Sequence, residues 1–126
     1  VILAGRGILN VNGTEYLLHR GQMFVCKPGE KIFYRADEKD PWVYCWMTFD
    51  GTKAAKYVEN TGMTEGINWR DCYADPREYY AFVKEILDRP EMSFANDLQR
   101  LGLLLSFISL AIETEEKKQH LSRHDS

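Results

Sequence analysis

Apolar and polar positions alternate with a period of two through most of the first fifty residues, and recur every three to four residues after that. The first pattern is that of strands with one face covered, the second that of helices with an apolar stripe. Strands are predicted over 7–12, 14–19, 23–27, 31–36 and 40–51. Asn12-Gly13 separates the first two, and this dipeptide suits a hairpin turn with positive φ at both central positions. Arg20-Gly21-Gln22 and Pro28-Gly29 read as the next turns, and 37–41 as a charged loop. Short strands with turns this closely spaced argue for a small antiparallel barrel or sandwich.

The stretch 40–51 reads as one long strand. Alternation puts Trp42, Tyr44, Trp46 and Thr48 on one face, and Val43, Cys45, Met47 and Phe49 on the other. Both faces are largely apolar, so both are expected to be covered. The second face suits a core. The first, with large rings carrying polar edges, suits the wall of a ligand site.

Beyond Gly51 a short helix is predicted over 53–61, ended by Gly62, and then a strand over 67–73. Asp75-Pro76-Arg77-Glu78 is a helix start, with Asp75 as cap, Pro76 at the first helical position and Glu78 completing a capping box. Tyr79, Phe82, Val83, Ile86 and Leu87 make one stripe, and Pro90 ends it. The last helix is predicted over 93–116. Phe94, Leu98, Leu101, Leu105, Ile108 and Ile112 are spaced as a heptad seam. Leu103, Phe107 and Leu110 lie nearly opposite, so more than half the circumference is apolar. One stripe suffices for a helix packed on one side of a small domain. A partner-facing seam is therefore favoured over full burial. Residues after Glu116 turn polar and are expected to fray.

A chain of 126 residues holds one domain with a real core. A net charge of −3 without clustered Lys and Arg argues against direct contact with nucleic acid. No apolar run is long enough to cross a bilayer. The first residue is Val1, which suggests a fragment or a processed product. Cys26, Cys45 and Cys72 are odd in number and widely spaced, which fits reduced cysteines of a cytoplasmic protein better than disulfides or a zinc clip.

Candidate chemistry is sparse. Glu30, Asp37, Asp40 and Asp50 fall near turns, where acids serve solubility and local geometry. No Ser-His-Asp or Cys-His spacing is present, so no catalytic residue is assigned. Gly5-Arg6-Gly7 is too short for a phosphate loop. Lys117-Lys118 suits a solvated helix end.

Taken in order, Gly5-Arg6-Gly7, the hairpin, Arg20-Gly21-Gln22, Pro28-Gly29-Glu30, Tyr34-Arg35-Ala36-Asp37 and the series Pro41, Trp42, Tyr44, Trp46, Phe49, Gly51 form a recognisable run. It resembles the N-terminal effector domain of transcription regulators of the arabinose-operon (AraC) type. The resemblance covers the first half of the chain clearly and the helix pair in outline. It implies a mainly β fold with C-terminal helices: a cupin-type jelly-roll barrel followed by a two-helix dimerisation element. It also implies a small effector, often a sugar, bound in the barrel, and a homodimer formed through the last helix as an antiparallel coiled coil. DNA is then contacted only through a helix-turn-helix domain absent from this chain.

On that resemblance the chain divides into a ligand-binding region over 1–73, a helical dimerisation region over 74–118 and a polar tail or linker over 119–126. Trp46 matches a tryptophan that stacks on the sugar, Tyr34 a tyrosine that hydrogen-bonds it, and Tyr44 a neighbouring contact position. The implied ligand residues are thus Tyr34, Tyr44 and Trp46. The implied dimer seam is Phe94, Leu98, Leu101, Leu105, Ile108 and Ile112. Family segments that would precede Val1 also touch the ligand. Metal-using cupins carry paired His with a Glu on these strands. Here only His19 lies in the strand region, His120 and His124 are in the tail, and Ile32 stands where a His is often found. No metal and no cofactor is expected. Two alternatives stay open. One is a metal-free cupin-like sugar isomerase or epimerase using His19 and Tyr34. The other is a dimerisation module with a filled barrel.

Overall fold

The computed structural model describes residues 1–49 and 51–125, with side chains through Leu121. Asp50, Ser126 and the side chain of His124 lie outside the described residues. Among the described residues, seven strands precede or interleave with three helices. Strand β2 (Arg6–Val11) and strand β3 (Thr14–His19) form the predicted hairpin, and Asn12 and Gly13 both take positive φ, 50° and 91°. Strand β5 (Ile32–Ala36) pairs with the other edge of β2. Strand β1 (Ile2–Ala4) pairs with β6 (Val43–Tyr44), and β4 (Gln22–Phe24) with β7 (Trp69–Asp71).

Two expectations need correcting. The long strand over 40–51 is confined to Val43–Tyr44 plus an isolated bridge from Arg6 to Pro41. A strand persists only where a neighbouring backbone takes its N–H and C=O groups. Beside this stretch β1 and Val1 supply that backbone, Val1 exchanging bonds with Cys45 in both directions. Beyond Cys45 no ladder runs alongside among the described residues. In addition, the strands form three separate sheets among the described residues, not a closed jelly-roll barrel.

Helix α1 is Ala54–Asn60, and Gly62 beyond it takes φ 89°. Helix α2 is Pro76–Leu87; the Asp75 side chain accepts from the Arg77 N–H, as its cap role requires. The capping box does not close, because Asp75 also binds the Arg77 guanidinium and no bond returns from the Glu78 side chain among the described residues. Helix α3 is Phe94–Asp125; it continues through the polar stretch after Glu116 that was expected to fray.

Two cores result. One gathers Ile2, Leu9, Val11, Leu18 and Trp42 between the ladders. The other gathers Val1, Met23, Cys45, Met63, Cys72, Tyr79 and Ala111 between the strands and helices. Strand alternation divides them. Ile2 points to the first and its neighbour Val1 to the second, and Met23 goes to the second while Phe24 packs on the first. Gly7 allows the close approach in the first core, since a Cβ there would run into the Trp42 ring and the Arg35 carbonyl.

Candidate functional site

The β2 register places Leu9 opposite Tyr16 on one side and Tyr34 on the other, with Gly7 opposite Leu18 and Ala36. Residues paired in a ladder share a face, so Tyr16 and Tyr34 turn toward the same side as buried Leu9. There the rings collect. Tyr34 lies 5.4 Å from Phe24 and 6.0 Å from Tyr44, centroid to centroid. Trp42 lies 5.9 Å from Phe24, stacked, and 6.1 Å from Tyr44, edge-on. Trp69 meets Tyr16 at 6.3 Å. Trp42 is buried, whereas Tyr34 and Tyr44 are 44% and 36% exposed. The group is a bowl floored by Trp42 and rimmed by two phenols. The Tyr44 hydroxyl beside Tyr34 raises the Tyr34 phenol above its ordinary value, so Tyr34 keeps its proton and can donate it at neutral pH.

Of the three ligand residues expected from the sequence, Tyr34 and Tyr44 are brought together. Trp46 is not brought into the ring cluster and stands 66% exposed, in the stretch where the β6 ladder has ended. Trp42, Phe24, Tyr16 and Trp69 complete the bowl; Trp42 was placed on the ligand-wall face but not among the contact residues, and the other three were not singled out. For Tyr16 the signal was available, because the Asn12-Gly13 turn fixes its register against Leu9.

The carboxylates weighed as acids serve loops. Glu30 accepts from the Lys27 N–H and from the Asn68 side chain at 2.8 Å. Asp37 accepts from the Lys39 and Asp40 N–H groups, which with Arg6 hold its pKa below the usual value. Asp50 lies outside the described residues. His19 pairs with Arg6 in register, on the face away from Leu9, and its Nδ1 lies 2.8 Å from the Arg20 carbonyl. His19 and Tyr34 therefore do not converge, as an acid–base pair must. Among the described residues no group of three or more His, Cys, Asp or Glu side chains converges. Burial raises the Cys72 thiol to about 11, so it is an uncharged core group.

The expected seam on α3 is split. Phe94 is 80% exposed, and Leu98, Leu101 and Leu105 are also exposed, whereas Ile108 is buried and Ile112 half-buried. Beside the buried end, Tyr57, Leu105, Ile108, Ile112, Glu113 and Glu116 line an open groove of about 350 Å³ between α1 and α3. No helix among the described residues is long and apolar enough to cross a membrane.

Comparison with known proteins bears on the same features. The family described as AraC-like ligand binding domain matches residues 1–108. The chain is 34% identical to the Msm operon regulatory protein of Streptococcus mutans over 128 aligned residues, covering 99% of this chain and 45% of that protein. It is 20% identical to the lactose operon transcription activator of Staphylococcus xylosus over 120 residues, covering 94% of this chain and 41% of that protein. The chain thus spans less than half the length of these curated relatives. With a family match over most of its length and an aromatic bowl among its strands, the chain belongs to the AraC-like ligand binding domain family.

Proposed function

We propose that this chain is the effector-binding and dimerisation domain of a bacterial AraC-type transcription regulator, non-catalytic and cytoplasmic, with a carbohydrate as its effector. The single observation that carries the reading is the bowl of Phe24, Tyr34, Trp42 and Tyr44 with its two exposed phenols. Sugars offer C–H faces to rings and hydroxyls to phenols, and such a bowl supplies both. The name of one relative, a lactose operon transcription activator, supports the sugar class.

Trp46, exposed at the end of this stretch, serves as a stacking cover over a bound sugar in this reading. The exposed half of α3 pairs with a second copy, in the manner of an antiparallel coil. DNA is reached through a domain outside this chain. Effector binding shifts the balance between two arrangements of strands and helices, and so biases that domain. The cupin-like isomerase is disfavoured by the separation of His19 from Tyr34.

The test is titration calorimetry of the 126-residue chain against a panel of mono- and disaccharides that includes lactose. At least one should bind, and Tyr34→Phe should weaken that sugar by removing one hydroxyl, an effect of about 1 kcal/mol or fivefold. Turnover of a bound sugar by the isolated chain would decide for the enzyme instead.

A further inference from the structure

The β4–β7 ribbon presents different residues to its two sides. Phe24 and Trp69 are paired across it, and both pack on the first core, Phe24 as a wall of the bowl. Met23 and Arg70 are the next pair, and Met23 belongs to the helix-side core. Arg70 is 7% exposed, and no carboxylate pairs with it among the described residues. All of its N–H groups are nevertheless spent. Nε donates to the Asp71 carbonyl at 2.8 Å. Nη1 donates to the carbonyls of Thr61 at 2.8 Å and Ala111 at 2.7 Å. Nη2 donates to the Cys72 carbonyl at 3.1 Å and to Thr114 Oγ1 at 2.6 Å. The Tyr73 ring lies 5.3 Å from the guanidinium carbon.

A buried cation held only by neutral oxygens tolerates little displacement, because each lost bond leaves charge unsolvated. The planar fork fixes the relative positions of its acceptors in a way that a point charge cannot. Three of those acceptors belong to helices or their caps: Thr61 at the C-cap of α1, and Ala111 and Thr114 on α3. The same turn of α3 is locked from a second side, where Gly62 leaves room for the Glu115 carboxylate that a Cβ would strike. One residue away along β7, the Trp69 ring lies 6.3 Å from that of Tyr16 and packs against the first core, of which the bowl's Trp42 is a member.

We infer that Arg70 is a positioning residue, the clamp through which the ring bowl sets the seat of α3. Strand β7 carries a bowl-side ring and a helix-side clamp on adjacent residues. A shift of Trp69 therefore moves Arg70, and the 111–114 turn either follows or loses its bonds. The coupling is reciprocal, so loosening the clamp at the helix must be felt at Trp69. The inference rests on the effector reading for the direction of the signal, but the clamp can be read without any sugar.

The experiment uses the 126-residue chain labelled with 5-fluorotryptophan, whose three fluorine resonances are assigned with Trp42→Phe, Trp46→Phe and Trp69→Phe. Thr114→Val removes the hydroxyl acceptor at nearly constant volume. Amides of 110–115 should exchange about tenfold faster, and the Trp69 resonance should move by more than its linewidth while that of Trp46 stays in place. If Thr114→Val does not fold, Arg70→Lys, which keeps the charge but cannot span the acceptors, must give the same pattern. A stationary Trp69 resonance overturns the inference, whether or not the helix amides speed up. Neither result depends on which sugar binds, so a failed clamp leaves the effector reading standing, and a failed sugar titration leaves the clamp standing.

Discussion

Two successive stretches of α3, 94–105 and 107–115, have similar apolar content and opposite fates. From Phe94 to Leu105 the seam positions are bare, at 80% to 44% exposure. From Ile108 to Glu115 the helix is held: Ile108, Ala111, Thr114 and Glu115 are all buried, and Phe107 meets Tyr79 at 5.1 Å. The difference lies in what reaches each half. The later stretch is met by α1, by β7 through Arg70 and by α2 through Tyr79. Over the earlier stretch those elements leave the seam positions bare. A heptad pattern reports that a face is apolar; it does not report whether the same chain or another covers it.

That contrast can be broken by mutation. The largest effect is expected from Leu101→Asp with Leu105→Asp. A dimer through this seam loses four leucines, each worth about 1.5–3 kcal/mol when buried. Sedimentation should show monomers, with dimerisation weakened more than about a thousandfold and the melting temperature of the monomer little changed; persistent dimers would move the interface elsewhere. Ile108→Ala should act the other way, costing the fold about 2–5 kcal/mol in denaturant unfolding, because it opens a cavity under a helix already packed.

The tryptophans give a parallel contrast. Trp42→Ala removes the floor of the bowl and should cost about 3–5 kcal/mol of stability. Trp46→Ala should leave stability within about 0.5 kcal/mol and reduce affinity for a confirmed sugar about threefold to tenfold, the worth of one ring contact. Unchanged affinity in Trp46→Ala removes that residue from the site.

The smallest effect concerns the α2 cap. Arg77, through its side chain and its N–H, holds the Asp75 carboxyl at about 2, with a lesser contribution from Arg20. A depressed carboxyl stabilises the fold above its ordinary value near 4, and that contribution is lost as pH falls toward 2. Asp75→Asn keeps a capping oxygen but not the charge. Its unfolding free energy should fall less steeply between pH 4 and 2 than that of the parent, and less so in high salt, since these groups are exposed.

Local chemistry was legible in the sequence. The Asn12-Gly13 turn and the Asp75-Pro76 helix start depend on residues within a few positions of each other, and both form. Tyr34 and Tyr44 were legible because alternation holds wherever a ladder exists. Trp46 was assigned from the family resemblance, and alternation placed it on the same face as Tyr44 only by being carried past the point where a backbone runs alongside to enforce the pleat. Phe24 and Trp69 sit on strands of three residues, too short to carry a pattern. Arg70 was invisible because an arginine between Trp69 and Asp71 reads as surface; only the approach of α3 turns it inward. Closure of the barrel depends on long-range pairing, on which the sequence pattern is silent.

The central claim is that the bowl between the ladders, and not the bare half of α3, receives the effector. Amide and aromatic chemical-shift mapping of the 126-residue chain, titrated with whichever sugar the calorimetry identifies, tests it directly. The account predicts shifts concentrated at Phe24, Tyr34, Trp42 and Tyr44, with Leu17 and Phe33 on the outer face of the sheet left in place. Shifts confined to Phe94–Leu105, with the four rings unmoved, would contradict it.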